Sequence, residues 1–328
     1  MRERTVVLGG GISAMSYLLY HPEAFALGGP ERGLGGLAAL QDRVGPHLVW
    51  ADLNTERLLR DLKLPTESRE VRVGYLVSSE VVGSDQMSAA EFSRFRDAYS
   101  YKTRGTGARP SHMSSGRGTF AAVKVEMREV VAKLYEAVSF RVVPVSAKGL
   151  LLWDQVVISD GEEEHSYDHL VSTIPAPVFL RLTGMQHLSA SLEARDKAYR
   201  SVSYAALPPW ATRAQREGFE YAYVADPAIE FHRIKYLPDR AVLEYTFPSG
   251  IPTCVRDDRD AFKHPAGQVI GGAEVFRSLP PSVELLGRFA QWDHSVKLNQ
   301  VLERVLRDTP PGCPRTGGRI TSEGPVGS

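Results

Sequence analysis

Three consecutive glycines near the start of the chain, Gly9 to Gly11, constrain its fold more than any other feature. The apolar run Val6-Val7-Leu8 before them is typical of a buried strand, and an apolar-periodic segment follows them. The stretch therefore predicts a strand, a tight turn and a helix. Gly9, Gly11 and Ala14 fall on the G-x-G-x-x-(G/A) spacing of a dinucleotide-binding turn. In such a turn Gly9 permits the bend, Gly11 lets a pyrophosphate approach the backbone, and Ala14 lets the helix lie close to the strand.

Composition and charge place the chain among ordinary globular proteins. Of its 328 residues, 43% are hydrophobic and 24% are charged, which fits one large domain or two interleaved ones. Because 39 Lys and Arg residues balance 39 Asp and Glu residues, no overall field would steer the protein to nucleic acid or to an anionic membrane. Cys254 and Cys313 stand outside any C-x-x-C pattern, so neither a disulfide framework nor a zinc site is indicated. Since no leader segment and no long apolar run is found, we expect a cytoplasmic protein.

Dinucleotide folds carry an acidic residue about 20 positions after the first glycine, where it binds the ribose hydroxyls. Here the second strand is predicted from Ala24 to Gly29, and Gly29 itself occupies that position. Glu31 follows two residues later and is the candidate for the role. A solvated loop glutamate is the alternative interpretation.

A second glycine pair, Gly35-Gly36, is followed by Leu37. The two glycine motifs together resemble the flavin amine oxidase superfamily, which includes protoporphyrinogen oxidases and UDP-galactopyranose mutases. The resemblance implies that the first turn binds FAD rather than NAD, and that Gly35, Gly36 and Leu37 pass the flavin-side phosphates. Val44 to Trp50 resembles the G-P-H segment of the mutase-like branch. That makes His47 a candidate residue near the flavin, with a simple turn residue as the alternative.

The chain has one pronounced charge bias, between residues 94 and 124. Seven basic residues there face one acid, Asp97: Arg94, Arg96, Lys102, Arg104, Arg109, Arg117 and Lys124. A solvated cationic loop is one interpretation, and a platform for a phosphate-bearing substrate is the other. On charge alone, the second interpretation extends to an amine carried on a nucleotide or on DNA. The segment begins in a helix predicted from Ser88 to Tyr101, where Ser88 and Glu91 have the capping-box spacing.

The middle of the chain contains a second motif of the same family. The elements predicted here are two strands within Val71 to Val82, a helix from Ala121 to Ala137, and a strand from Arg141 to Val145. Tyr167 to Pro175 predicts a buried strand that a proline stops. It resembles the segment in which the family's strand runs up to the FAD and ends in Thr-x-Pro. The resemblance places Thr173, Pro175 and the neighbouring Val143 beside the cofactor.

Aromatic residues are concentrated between Tyr204 and Phe247. Tyr221 to Ile234 predicts two strands joined by a turn, and it resembles the family's strand pair whose sheet covers the flavin face. Arg233 stands in an otherwise apolar alternation, where an unpaired charge is costly, so we expect it to contact the substrate. Tyr223 and Tyr245 are expected to form the pocket beside it, while most of the other aromatics should pack the sheet.

Near the end of the chain, Glu284 to Arg307 predicts a strand end, the pair Gly287-Arg288 and a helix. This segment resembles the family's last FAD motif, in which the Gly-Arg turn and the helix start approach the pyrophosphate and the flavin. The cofactor contacts implied here and at the first turn are Ile12, Ser13, Gly287, Arg288, Ser295 and Val296. From Thr309 onward the chain is rich in Pro, Gly and Ser and is expected to be disordered.

The resemblance implies an α/β fold with a Rossmann-like FAD-binding domain interleaved with an α+β substrate domain that carries a mixed or antiparallel sheet. The FAD-binding domain is predicted from residues 1–50, 116–182 and 268–308. The substrate domain is predicted from residues 51–115 and 183–267, and residues 309–328 form the tail.

Three functions remain open from the sequence. The first is a flavoenzyme that oxidises a C–N bond of an amine or amino-acid-like substrate, whose imine product then hydrolyses. The second is a mutase-like flavoenzyme that acts on a nucleotide sugar without net redox change, which the G-P-H and Gly-Arg segments favour. The third is a binding protein that kept the fold and lost the cofactor, which the missing ribose acid favours. No spacing typical of metal ligands is found.

Overall fold

The computed structural model describes residues 4–28, 49–104, 119–123, 126–196, 202–203, 217–236, 241–245, 276, 279–292 and 296–307. Several residues singled out from the sequence lie outside the described residues: Glu31, Gly35, Gly36, Leu37, His47, Ser295, most of the basic segment beyond residue 104, and the tail.

Within the described residues the chain forms sixteen strands and eight α-helices. The strands are β1 (Thr5–Leu8), β2 (Phe25–Leu27), β3 (Val49–Trp50), β4 (Ser68–Val77), β5 (Glu80–Val82), β6 (Thr119–Val123), β7 (Val142–Val143), β8 (Ala147–Leu151), β9 (Val156–Ser159), β10 (Glu164–Ser166), β11 (His169–Ser172), β12 (Val202–Ser203), β13 (Tyr221–Val224), β14 (Phe231–Tyr236), β15 (Ala241–Tyr245) and β16 (Val283–Leu285). The helices are α1 (Ile12–Tyr20), α2 (Leu53–Asp61), α3 (Ala89–Arg104), α4 (Met127–Val138), α5 (Ala176–Leu182), α6 (Gln186–Asp196), α7 (Arg288–Gln291) and α8 (Leu298–Leu306). Short 3₁₀ turns occur at Ser84–Gln86 and Ser139–Arg141.

A five-stranded parallel sheet with the order β16-β11-β1-β2-β7 forms the first half of the fold. Every residue of β1 is buried, and successive residues face opposite cores. Val7 packs with helices α1, α2, α4 and α8, whereas Val6 and Leu8 pack with the hairpin β8–β9 and helix α5. A parallel sheet must be covered on both faces, which explains why β1, β2 and β7 are largely apolar rather than alternating.

A mixed sheet with the order β12-β15-β14-β13-β4-β6-β3 forms the second half, and β5 pairs with β4. β13 and β4 run parallel, and the other pairs in this sheet are antiparallel. The two sheets confirm the predicted α/β fold with a second, mixed sheet. The exact domain boundaries stay predictions.

Most of the predicted elements are confirmed, and one is wrong in part. Helix α3 carries the predicted capping box, since the Ser88 N–H donates to Glu91 Oε2 at 2.8 Å and the Glu91 N–H donates to Ser88 Oγ at 3.3 Å. The helix predicted from Ala121 to Ala137 begins instead at Met127. Its first three residues belong to β6, where Ala122 and Val123 are buried against β4. Strand pairing across the sheet overrides the helical preference of the alanines there. Among the described helices, none has the length and apolar character needed to cross a bilayer.

Candidate active site

The glycine turn lies at the carboxyl edge of the parallel sheet, where open α/β sheets bind their ligands. Gly9 has φ +117°, a conformation that L side chains rarely adopt, and its N–H donates to Leu27 O at 3.0 Å. Gly11 caps helix α1, and a Cβ added there would meet no atom within 4 Å. The first N–H groups of an α-helix have no partner within the helix, and the first turn of α1 contains no acidic residue. Open space therefore faces a set of N–H donors and the positive end of the helix dipole.

The strand that ends in Thr-Ile-Pro lies directly against this turn. A Cβ on Gly9 would come within 2.4 Å of Thr173 Oγ1. Thr173 is fixed there because both its N–H and its Oγ1 donate to Leu8 O, at 2.9 Å and 2.8 Å. Pro175 follows as the N-cap of α5 and ends the strand, as the sequence predicts. Gly9 thus serves the close approach of β1 and β11 as well as the bend.

The late Gly-Arg segment meets the same turn from the other side. Gly287 has φ +97° and precedes α7, and a Cβ there would lie 2.6 Å from Ser13 Oγ on the first turn of α1. The neighbouring Leu286 N–H donates to Ser172 O at 2.9 Å, which extends the β11–β16 pairing. The three segments that the sequence analysis groups around one cofactor, at residues 9–14, 173–175 and 287–288, therefore converge in space.

The end of β2 has a glycine where an acidic residue is usual. Gly28 follows β2 directly, and its N–H donates to Val143 O at 3.1 Å. Val143 pairs with Leu27 and lies at the same edge of the sheet as the glycine turn. No carboxylate stands at this strand end within the described residues, and Glu31 lies outside them.

Strands β13, β14 and β15 of the mixed sheet present a second set of polar groups. Tyr223, Arg233 and Glu244 are direct cross-strand partners, and Tyr221 pairs with Lys235 on the same face. We call this surface the charged face; it consists of Tyr221, Tyr223, His232, Arg233, Lys235 and Glu244. Helix α3 packs beside it through Phe95 and Tyr99, and the Tyr99 ring meets the Tyr223 ring edge-on at 5.0 Å between centroids.

Glu244 is the centre of the charged face. Only 2% of Glu244 is exposed, and its Oε2 accepts a hydrogen bond from Arg233 Nε while its Oε1 accepts one from Lys235 Nζ at 2.8 Å. Burial raises the pKa of Glu244, but Arg233 and Lys235 lower it more, so the net pKa falls well below its usual range. For Lys235, burial outweighs the effect of Glu244 and lowers the pKa. Glu244 is therefore an ionised, buried carboxylate that holds two cations.

A β-bulge brings a third basic group to Glu244. The pairing of β14 with β15 shifts between Phe231 and Arg233, so that His232 is an extra residue. His232 Nε2 lies 3.8 Å from Glu244 Oε2, and its ring lies 6.0 Å from the ring of Tyr99. Without the bulge, His232 would face the opposite side of the sheet from Arg233.

One expectation about these strands is corrected by the structure, and one stays a prediction. Arg233 has Glu244 opposite it on β15, and about a third of its side chain remains exposed, so its contact with a substrate stays a prediction. Tyr245 lies on the opposite face of the sheet from Tyr223 and packs with Phe231 and Ile234. Successive residues of a strand face opposite sides of the sheet, and Glu244, the residue before Tyr245, is on the same side as Arg233. Tyr223 and Tyr245 therefore cannot line one pocket. Sequence reasoning missed Glu244 and Lys235, although an acid within the apolar run Ala241–Tyr245 was a readable signal.

A further lysine, Lys297, lies beside Arg288 where α8 begins. This residue precedes α8, its N–H donates to Gln300 Oε1 at 2.8 Å, and Arg288 Nε donates to the neighbouring Val296 O at 3.1 Å. Burial lowers the pKa of Lys297, and Arg288 and Arg233 lower it further.

Lys102, at the described end of the basic segment, contacts the mixed sheet. Lys102 Nζ donates to Asp226 O at 2.6 Å and to Phe231 O at 2.7 Å, which ties α3 to the turn between β13 and β14. Burial lowers the pKa of Lys102 to about 8, and Asp226 opposes that shift. Lys102 therefore makes a structural contact between α3 and this turn. Binding of a phosphate-bearing partner by the rest of residues 94–124 stays a prediction.

Comparison with known proteins identifies the fold. Reduced UDP-galactopyranose mutase aligns with a TM-score of 0.61 at 12% identity, over 93% of this chain and 95% of the other. An oxidoreductase from Methanosarcina mazei aligns with a TM-score of 0.59 at 10% identity, over 93% and 99%. Putrescine oxidase bound to putrescine aligns with a TM-score of 0.52 at 10% identity, over 94% and 98%. No protein-family model and no curated protein matches the sequence. The chain thus shares the fold of these proteins, and at these identities the likeness concerns the fold alone.

Proposed function

We propose that this chain is an FAD-dependent enzyme that oxidises a C–N bond of an amine or amino-acid-like substrate. The observation that carries the proposal is the convergence of the glycine turn, the Thr-Ile-Pro strand and the Gly-Arg segment at one edge of the parallel sheet. Solved structures with the same fold include a putrescine oxidase, which supports C–N chemistry by analogy of fold only.

The residues at this edge fit a dinucleotide. The open space at Gly11 and the N–H donors of the first turn of α1 suit a pyrophosphate, and the same space would be filled by any side chain at Gly11. The residues that would hold FAD in the described part of the chain are Gly9, Gly11, Ile12, Ser13, Ala14, Val143, Thr173, Pro175, Gly287, Arg288 and Val296. Glu31, Gly35, Gly36, Leu37 and Ser295 complete the proposed set from the sequence.

Bound FAD would supply the acceptor for the hydride that leaves the substrate carbon. The chain's own contribution is to hold the amine in its neutral form, the form that can lose the hydride. A positive charge nearby disfavours a protonated amine and lowers its pKa. Arg233 and Lys235 supply that charge, while the rings of Tyr221 and Tyr223 provide an apolar wall. Burial raises the pKa of Tyr221 well above its ordinary value, so its hydroxyl stays protonated.

A mutase-like reaction on a nucleotide sugar is the second candidate function. Arg233 and Lys235 on the charged face favour it because arginine and lysine side chains also suit a pyrophosphate. The fold is equally compatible, since UDP-galactopyranose mutase shares it.

Spectroscopy separates the two candidates. The purified protein is expected to show flavin absorbance and to release FAD on denaturation. Under anaerobic conditions an amine substrate should bleach that absorbance if the enzyme oxidises C–N bonds. A mutase should require prior reduction, turn over without net redox change and leave the spectrum of the oxidised form intact when an amine is added. A protein that neither contains nor takes up FAD would contradict both proposals.

A further inference from the structure

The ion pair between Arg233 and Glu244 uses only one side of the guanidinium. Arg233 Nε donates to Glu244 Oε2, and the Arg233 Cζ lies 6.0 Å from the centroid of the Tyr221 ring, within the range of a cation–π contact. Most of the N–H donors of a guanidinium belong to its two Nη groups. Within the described part of the chain, neither Nη group of Arg233 donates a hydrogen bond. The pair with Glu244 therefore leaves these donors for another acceptor.

Both Nη groups of Arg233 are accessible to solvent. A buried nitrogen without a partner would count among the unsatisfied buried atoms of the described residues, and neither Nη of Arg233 is one of them. The exposed fraction of the Arg233 side chain is 32%, against 3% for Glu244, 7% for His232 and 14% for Lys235. Of the charged side chains on the charged face, Arg233 is therefore the one that a ligand reaches most easily.

Glu244 is itself fixed from two sides. Its Oε1 lies 2.8 Å from Lys235 Nζ while its Oε2 accepts from Arg233 Nε, so the carboxylate cannot turn without losing one of these contacts. Burial lowers the pKa of Arg233, but Glu244 raises it more, and the guanidinium stays charged. The carboxylate thus fixes both the charge and the orientation of the guanidinium.

A second arginine of the mixed sheet shows the opposite arrangement. Arg69 donates from Nη1 to Glu220 Oε1 and from Nη2 to Glu220 Oε2, so its partner occupies both Nη groups. This bidentate contact is the strong form of an arginine–carboxylate pair. Arg233 gives its partner a contact through Nε instead, which is not the arrangement that best stabilises the pair itself.

We propose that Glu244 is a positioning residue for Arg233. By holding Nε, it presents both Nη groups to a substrate group with two acceptor oxygens, such as a carboxylate. This inference rests on the proposed function, because it concerns the substrate of that same site. Paired N–H donors bind two oxygens in parallel, a geometry that a lysine ammonium cannot reproduce. Glu244 acts through Arg233 and does not itself contact the substrate.

Chemical modification of the FAD-loaded wild-type protein tests whether the Nη groups are presented. Phenylglyoxal condenses with the Nη groups of arginine, and mass spectrometry of the digested protein measures the rate at each arginine. Arg233 should react at least about tenfold faster than Arg69, because reaction at Arg69 must first break charged hydrogen bonds. Exposure alone predicts the reverse order, since 43% of the Arg69 side chain is exposed. Benzoate should slow the modification of Arg233, whereas benzamide, its uncharged analogue, should not.

Glu244→Asp tests the positioning itself. The variant keeps the negative charge but is shorter by one methylene, so it cannot contact Arg233 and Lys235 at the same distances. Calorimetric titration should show a benzoate affinity about tenfold lower than in the wild type, with unchanged FAD content. A residue with a purely structural role would lower the free energy of unfolding and leave the benzoate affinity of the folded protein unchanged. The matched control is Glu220→Asp, at the exposed pair with Arg69, which should bind benzoate like the wild type.

Each outcome supports or overturns the inference. Equal reactivity of Arg233 and Arg69 in the wild type would overturn it, and this result does not depend on whether Glu244→Asp folds. Unchanged benzoate affinity in Glu244→Asp would reduce Glu244 to a structural ion pair. Loss of FAD together with benzoate in that variant would also count against the inference, because the damage would then extend beyond Arg233. Conversely, a wild-type protein that never binds FAD but shows the expected reactivity and benzoate binding would overturn the proposed function and leave the positioning of Arg233 intact.

Discussion

The two halves of the molecule build their polar sites in opposite ways. At the edge of the parallel sheet the site consists of backbone: strand ends, the start of α1, and glycines such as Gly9 and Gly287 that allow close approach. On the charged face it consists of side chains, and Arg233 is held by Glu244 on the neighbouring strand. A site built from backbone atoms requires small residues, because a side chain would fill the space. A site built from side chains requires the correct register of strand pairing, because the register decides which side chains meet.

This difference sets what a substitution does in each half. Adding atoms at a glycine should damage the parallel half, because the space is needed by another segment or by a ligand. Removing charge should damage the mixed half, because the remaining buried charges lose their compensation. The predictions below test that contrast, beginning with the largest effect.

Glu244→Gln should have the largest effect on stability. The substitution leaves Arg233 and Lys235 without the buried carboxylate that both contact, and breaking a buried ion pair from one side costs about 3–5 kcal/mol. Urea unfolding followed by circular dichroism measures the change in the free energy of unfolding. The matched control is Glu220→Gln at the exposed pair with Arg69 of the same sheet, where about 0–1 kcal/mol is expected. Similar losses in the two variants would show that the charged face is not a distinct electrostatic unit.

Gly9→Ala should be the most damaging glycine substitution in the parallel half. Its φ of +117° costs a residue with a side chain about 1–3 kcal/mol, and the new Cβ would also meet Thr173 Oγ1 at 2.4 Å. Gly184→Ala is the control, since Gly184 has φ +78° but no atom within 4 Å of an added Cβ. The difference in unfolding free energy between the two variants isolates the Thr173 contact. If Gly184→Ala costs as much as Gly9→Ala, close approach of β1 and β11 contributes nothing.

The parallel half could be predicted from the sequence in most of its parts. Its glycines, its apolar strands and the proline after β11 determine the structure locally. Each element can therefore be recognised from a pattern within a few residues of sequence. The convergence of Gly9, Thr173 and Gly287 followed from the resemblance to a known family. The predicted start of α4 was wrong, because pairing with β4 places residues 119–123 in a strand despite a helical composition.

The charged face could be predicted only in part, for a physical reason. Arg233 was recognised as an unusual charge, but its partner Glu244 is set by the pairing of β14 with β15. The bulge that turns His232 toward Glu244 depends on that same pairing, and no residue in the sequence indicates the bulge. The position of Tyr245 was mistaken because one residue of register decides which face a strand residue occupies.

Gly11→Ala should separate cofactor binding from stability in the parallel half. Gly11 has φ −78°, which any residue adopts, and an added Cβ meets no protein atom. Because alanine is a poorer N-cap than glycine, we expect a stability loss of up to about 1 kcal/mol. The methyl group would stand in the space proposed for the pyrophosphate, and FAD affinity should fall at least about tenfold. Equilibrium dialysis of FAD measures the affinity. Gly161→Ala, in the turn between β9 and β10 with its nearest non-neighbouring atom 4.0 Å from the added Cβ, is the control and should bind FAD normally. Normal FAD binding by Gly11→Ala would mean that the cofactor does not approach this turn.

The smallest expected effect is a pH dependence of the free energy of unfolding, caused by Lys102 beside the mixed sheet. Burial gives Lys102 a pKa of about 8 in the folded protein, against 10.5 for the free side chain. Between these values the unfolded chain binds more protons than the folded one, so the contribution of Lys102 to the free energy of unfolding rises with pH across that window. The stability of the wild type relative to Lys102→Met should therefore increase between pH 8 and pH 10, as measured by urea unfolding at each pH. Lys148→Met, at an exposed lysine on β8, supplies the comparison curve. If the difference for Lys102→Met stays constant or falls with pH, Lys102 is not buried as its contacts with Asp226 and Phe231 indicate.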